Sequence, residues 1–174
     1  MKEQAQDQPQ RLWQMGALFH NTARFSQRRD RPQVDRLASI LRQGLVAPAA
    51  STDGAAFSDL NIVAEGFAEA YDKLVFLHRY GEQSWLYTFS LPGHLTVFLD
   101  PATPVITPAD LAPRWVKLSQ DEVYVREHVP LERFIGMAVH PDDAEAILAE
   151  FRLEFERLNL PLYLHDGKTL IWPH

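Results

Sequence analysis

Two amphipathic helical segments lie among six to eight short β-type runs, and the two kinds of segment do not alternate strictly. Strict alternation of strands and helices is typical of doubly wound parallel sheets, whereas groups of strands interrupted by a few helices are typical of α+β folds. The sequence therefore predicts an α+β architecture, in which two or three helices flank the strands.

The helical segments are predicted from apolar residues that recur every three or four positions. The first covers 33–43, where Pro32 suits the first turn and Gly44 suits the C-terminal cap. The second covers 142–158 and carries an apolar stripe on one side. A third, short helix is predicted over 62–71.

The β-type runs are short and are separated by turn-forming residues. Asp166-Gly167 lies between the last two runs, and this dipeptide is typical of a hairpin turn. A strand is also predicted to end at His20, followed by a polar loop over 21–31. The predicted strands are 12–20, 74–77, 85–91, 95–99, 122–125, 134–139, 162–165 and 169–172.

The size and composition are those of one ordinary domain. The chain has 174 residues, of which 46% are hydrophobic, so it can bury a core without disulfides or metal. It contains no cysteine, which excludes thiolate chemistry and disulfide bonds. We expect residues 1–10 to form a flexible N-terminal arm and residues 11–174 to form a single domain.

No apolar run approaches the roughly 18 residues that a membrane-spanning helix needs. The polar stretch 1–10 also lacks the apolar segment of a cleaved signal peptide. We therefore expect no membrane partner and a cytoplasmic location, or export as an effector by a route without a cleaved signal. The oligomeric state is left open.

Charge is unevenly distributed along the chain. The formal net charge of −6 argues against broad binding to nucleic acid. Between 24 and 42, however, the sequence contains six arginines and only two aspartates. These arginines are either a solvated surface or a phosphate-binding patch, because the guanidinium fork matches phosphate oxygens. An acidic chain with one basic region favours a small phosphorylated ligand over a duplex.

The common nucleotide and hydrolase motifs are absent from the sequence. There is no GxxxxGK[ST], GxGxxG, HExxH or GxSxG. The seven histidines show no close metal-ligand spacing, so no metal site is expected.

Three segments appear in an order that resembles a known family. An apolar stretch leads into His20-Asn21-Thr22, and a helical segment with Ile40-Leu41-Arg42-Gln43-Gly44-Leu45 follows, then Ala47-Pro48. Much later comes Asp121-Glu122-Val123-Tyr124-Val125. Together they resemble the ADP-ribosyltransferase superfamily, in the poly-ADP-ribose-polymerase-like branch with a His-Tyr-Glu triad. The sequence departs from that pattern where Asn21 replaces a glycine and where the strand at 74–78 offers Phe76 or His78 instead of tyrosine.

The resemblance implies an ADP-ribosyltransferase-like fold of split antiparallel sheets, with NAD as substrate. It makes Glu122 and His20 the catalytic pair: the carboxylate stabilises an oxocarbenium-like transition state, and the neutral imidazole binds a ribose hydroxyl. The implied NAD-binding residues are His20, Asn21, Thr22, Arg24 and Phe76, of which Arg24 is placed at the pyrophosphate.

The implied activity is NAD-dependent transfer of ADP-ribose to a protein or nucleic-acid acceptor. Two alternatives remain on the same fold. One is RNA 2′-phosphate removal or NAD hydrolysis, and the other is an inactive, acidic binding or immunity-type protein.

Overall fold

The computed structural model of the chain describes residues 18–25, 33–47, 74–79, 91–107, 110 and 122–173. Five predictions lie wholly or mostly outside these residues: the N-terminal arm at 1–10, the strand at 12–20, the loop at 21–31, the helix at 62–71 and the strand at 85–91.

The described residues form a mixed α+β fold with more strand than helix. The helices are α1 (Arg36–Gln43) and α2 (Pro141–Leu158), and Leu131–Arg133 form a short 3-10 turn. The strands are β1 (Leu18–Ala23), β2 (Leu45–Val46), β3 (Leu74–Arg79), β4 (His94–Leu99), β5 (Glu122–Arg126), β6 (His128–Val129), β7 (Phe134–Val139), β8 (Leu162–Leu164) and β9 (Leu170–Trp172). None of these described helices is both long and apolar enough to cross a membrane.

Seven strands form the large sheet in the order β5-β3-β1-β4-β7-β8-β9, and β2 pairs with β6 in a small second sheet. The prediction of antiparallel strands is wrong for one pair, since β7 and β8 run parallel. The reason is the connection between them. The long helix α2 returns the chain to the end at which β7 began, and such a crossover joins parallel strands.

Several predicted elements are confirmed. Helix α1 ends before Gly44 as predicted, but it begins at Arg36 instead of 33 because Asp35 caps it. Helix α2 covers the predicted 142–158 with Pro141 as its first residue, and β8 and β9 pair as a hairpin around the predicted Asp166-Gly167 turn. The strand that includes His20 differs from its prediction. It continues to Ala23, because β4 pairs with it as far as Ala23↔His94, so His20 lies inside the strand and not at its end.

The two faces of the large sheet have different surroundings. One face packs against α1 and α2 and contains the main core; we call it the helix face. Residues on this face include Leu18 of β1, Val97 of β4 and Met137 of β7. The other, which we call the opposite face, carries a separate small cluster around Phe19 and Phe98. Since side chains alternate along a strand, each residue of β1 can be assigned to a face.

Candidate functional site

Among the described residues, strands β1 and β3 pair at two positions and then part. The pairs are Leu18↔Arg79 and Phe19↔His78. Beyond them β1 continues to pair with β4, and β3 continues to pair with β5. The large sheet therefore divides along this line, and His20 is the first residue of β1 beyond the last pair.

A cavity of about 560 Å³ lies beside the point where these strands part. This volume is within the range of small-molecule sites. Its described lining comes from β1, β3, the helix α1 and the segment that follows α1. His20 and Thr22 line it from β1, and Phe76 lines it from β3.

His20 spans the gap between the two strands through its imidazole. Its Nδ1–H donates to the backbone carbonyl of Phe76 at 2.7 Å, because a carbonyl oxygen can only accept. Burial lowers the pKa of His20 below its usual 6.5; the Phe76 carbonyl opposes this, and the nearby His78 and Arg36 add to the lowering. The ring is therefore neutral at pH 7, and Nε2 carries a lone pair that can accept a hydrogen bond.

A polar stripe on α1 forms another part of the cavity wall; the sequence prediction included Arg36 among the arginines of a possible phosphate-binding patch but missed Ser39 and Gln43. Arg36, Ser39 and Gln43 lie three and seven positions apart, so they share one side of the helix, and all three line the cavity. Arg36 donates to the hydroxyl of Thr22 at 3.0 Å, and Gln43 donates to that of Ser39 at 2.8 Å. The spacing of these polar residues beside the apolar stripe of α1 is the signal that identifies them.

Asn21 points away from this cavity. It is paired with Thr96 of β4, and its amide donates to the Thr96 hydroxyl at 3.0 Å on the opposite face. Within the described lining, Asn21 is absent. The structure therefore separates the side chain of Asn21 from those of His20 and Thr22.

The guanidinium of Arg24 is held by two carboxylates. It binds Asp35 at 3.0 Å and Glu150 at 2.7 Å, which connects β1 with the start of α1 and with α2. Burial works against its charge, but both carboxylates outweigh it and raise the pKa of Arg24 above its usual value. Asp35 also caps α1 by accepting from the backbone amides of Leu37 and Ala38. We call Arg24, Asp35 and Glu150 the clasp.

Glu122 and Phe76 direct their side chains to the opposite face. Glu122 is paired with His78 of β3, and His78 is paired with Phe19 of β1. The rings of His78 and Phe19 lie 5.6 Å apart. Glu122 is thus on the face of Phe19, while His20 is on the helix face. The described lining of the cavity does not include Glu122. The backbone carbonyl of Phe76 does reach His20.

A buried tyrosine accompanies Glu122. The hydroxyl of Tyr124 donates to the Glu122 carboxylate, and its ring meets that of Phe76 edge to face at 5.3 Å. Tyr124 was part of the sequence motif but was not predicted as a site residue. The Glu-x-Tyr spacing puts both side chains on one face of a strand, which is the signal for this pair.

Among the described residues, no three histidine, aspartate or glutamate side chains converge in a way that could hold a metal ion. In comparisons with known proteins, no family model matches the chain, and no curated protein is significantly similar to it in sequence.

Proposed function

We propose that the chain binds NAD in the cavity between β1, β3 and α1 and transfers ADP-ribose to a protein or nucleic-acid acceptor. We propose that it acts in the cytoplasm or as an exported effector, the locations predicted from the sequence.

The observation that carries the proposal is the fixed imidazole of His20. The Phe76 carbonyl holds Nδ1–H, and the lowered pKa keeps the ring neutral at pH 7. Nε2 is then an acceptor beside a cavity of ligand size. A ribose hydroxyl is a suitable donor for it, and a hydroxyl bound in this way orients the sugar at which the nicotinamide bond breaks.

The role of Glu122 in the proposal comes from the family resemblance. Loss of nicotinamide places positive charge on the ribose ring, and a carboxylate near that ring lowers the barrier. Tyr124 holds the Glu122 carboxylate through its hydroxyl. Glu122 lies on β5, next to β3, with its side chain on the opposite face from the cavity, so this role requires the ribose or the acceptor to reach that face of the sheet.

The pairing register favours a second candidate, a protein that binds a nucleotide without turnover. Glu122 is on the opposite face from His20, and the described cavity lining contains no carboxylate. The described lining thus retains the fixed imidazole for binding and lacks the group that stabilises the transition state.

The test is incubation with NAD labelled in the adenylate portion, together with candidate protein and nucleic-acid acceptors. Transfer predicts a labelled acceptor, and the label should fall at least a hundredfold in Glu122→Gln and in His20→Ala. Arg152→Ala is the matched control, because Arg152 lies on the exposed side of α2. Free nicotinamide without a labelled acceptor indicates hydrolysis instead.

Binding without turnover has its own signature. NAD should then raise the melting temperature of the wild type and not of His20→Ala, while neither nicotinamide nor labelled acceptor appears. If NAD neither raises the melting temperature of the wild type nor is consumed by it, both candidates are contradicted. Release of a 2′-phosphate from RNA would assign the phosphotransferase activity.

A further inference from the structure

The cavity contains one charged group in its described lining, the guanidinium of Arg36. No aspartate or glutamate is part of that lining. Arg36 is exposed to solvent at the first position of α1. A cation on a cavity wall whose described residues include no carboxylate attracts an anionic ligand.

The contacts of Arg36 leave most of its donors available. Nη1 donates to the Thr22 hydroxyl at 3.0 Å, and within the described residues no carboxylate is in ion-pair contact with Arg36. A guanidinium has five N–H donors, so one bond to a hydroxyl orients the group and leaves a face for phosphoryl oxygens.

Arg36 also has a defined position relative to His20. Its backbone amide donates to the Arg24 carbonyl at 2.7 Å, which fixes the first turn of α1 to β1. Thr22 is two residues from His20 on the same face of β1, a separation of roughly 7 Å along the strand. Such a separation suits a ligand that has a hydroxyl and a phosphoryl group on one pentose.

We propose that Arg36 is the anion-binding residue of the cavity and makes it selective for nucleoside diphosphates over uncharged nucleosides. A phosphoryl oxygen accepts from the Arg36 guanidinium while a ribose hydroxyl donates to Nε2 of His20. Thr22 is a positioning residue, since it acts through Arg36. This inference rests on the proposal that the cavity is the ligand site, and it does not require turnover.

The charge of Arg36 also acts on His20. It is one of the groups that lower the pKa of His20, after burial and His78. Removing the charge should therefore raise the pKa of His20 towards its ordinary value. This provides a readout in the free protein that does not depend on any ligand.

The experiment compares the binding of ADP-ribose and adenosine by calorimetry in the wild type and in Arg36→Gln. The wild type should prefer ADP-ribose, and Arg36→Gln should lose at least tenfold in affinity for ADP-ribose while its affinity for adenosine is unchanged. Arg36→Lys should recover part of the loss, because it restores charge without the fork. Arg42→Gln is the matched control, an exposed arginine of the same helix outside the cavity lining.

The outcomes separate this inference from the proposed function. Binding of ADP-ribose that depends on Arg36, without any transfer from NAD, contradicts the transferase and supports the anion site. Transfer that is unchanged in Arg36→Gln overturns the anion site alone. Equal affinity for ADP-ribose in the wild type and in Arg36→Gln, or no binding of ADP-ribose by the wild type, also overturns it.

The imidazole pKa of His20 in Arg36→Gln, measured by NMR, should be higher than in the wild type.

Discussion

Arg24 and Arg36 are joined by a backbone hydrogen bond, yet their side chains have opposite surroundings. Arg24 is held between Asp35 and Glu150 in the clasp, and its side chain is 13% exposed. Arg36 lines the cavity, and within the described residues its side chain donates to one hydroxyl, that of Thr22. Two arginines from one basic stretch therefore have different roles. Nearby carboxylates, more than the density of positive charge, decide which arginine is available to an anion.

The largest effect is expected at Gly44, which follows the last residue of α1 and lines the cavity. Its φ is +82°, and an added Cβ would lie 2.2 Å from the Val129 carbonyl oxygen. Because backbone must move to relieve this contact, Gly44→Ala should lower the free energy of unfolding by about 3 kcal/mol. Chemical denaturation measures it. Gly93→Ala is the control, since it has a similar φ but no neighbour within 4 Å.

The next effect separates the two arginines. Arg24→Leu should lower the free energy of unfolding by about 2 kcal/mol, because it leaves two carboxylates without their cation, discounted for the exposure of Glu150. Arg36→Leu should change stability by less than about 0.5 kcal/mol. For affinity towards ADP-ribose the order should reverse. Equal effects of the two substitutions on both quantities would remove the distinction between clasp and cavity.

A smaller effect on stability distinguishes the two roles of Asp35 in the clasp, the ion pair with Arg24 and the cap of α1. Asp35→Asn keeps an oxygen that can cap α1 but loses the charge that faces Arg24, so it should cost about 1 kcal/mol. Asp35→Ala should cost about 1 kcal/mol more, since the cap is also lost. Thermal and denaturant unfolding of the two variants measure the difference. If Asn and Ala are equivalent, the cap contributes nothing to stability.

The smallest effect concerns pH. The pKa of His20 is lower in the folded chain than the ordinary 6.5 because burial disfavours the charged ring. The unfolded chain therefore binds more protons just below pH 6.5, and His20 should reduce stability as the pH falls through that value. In His20→Gln this part of the pH dependence should disappear. Denaturation midpoints at pH 5.5 and pH 7.5 provide the test, and an identical pH dependence in both proteins would contradict it.

Much of the fold could be predicted because its signals are local. The apolar stripe of α2 and the Asp166-Gly167 turn are contained within a few residues, and both are present in the structure. The extent of β1 could not be predicted in the same way. Its polar half, Asn21–Ala23, is a strand because β4 pairs with it from more than 70 positions away.

The site could be predicted only in part for the same reason. Alternation along β1 separates His20 from Asn21, and a single strand shows this. Whether His20 shares a face with Glu122 depends on the registers of β1 with β3 and of β3 with β5, which no short segment contains. The engagement of Arg24 by Glu150 likewise depends on a residue 126 positions away.

The short pairing of β1 with β3 has a consequence for how the molecule opens. Among the described residues, β1 and β4 pair at six positions, whereas β1 and β3 pair at two. On the His20 side of the Phe19↔His78 pair, no described ladder pair joins β1 to β3, so β3 can move relative to β1 there without breaking a described backbone hydrogen bond between them. There the imidazole of His20, and not a backbone amide of β1, donates to the Phe76 carbonyl of β3. A ligand that binds His20 would then fasten the two parts of the sheet together.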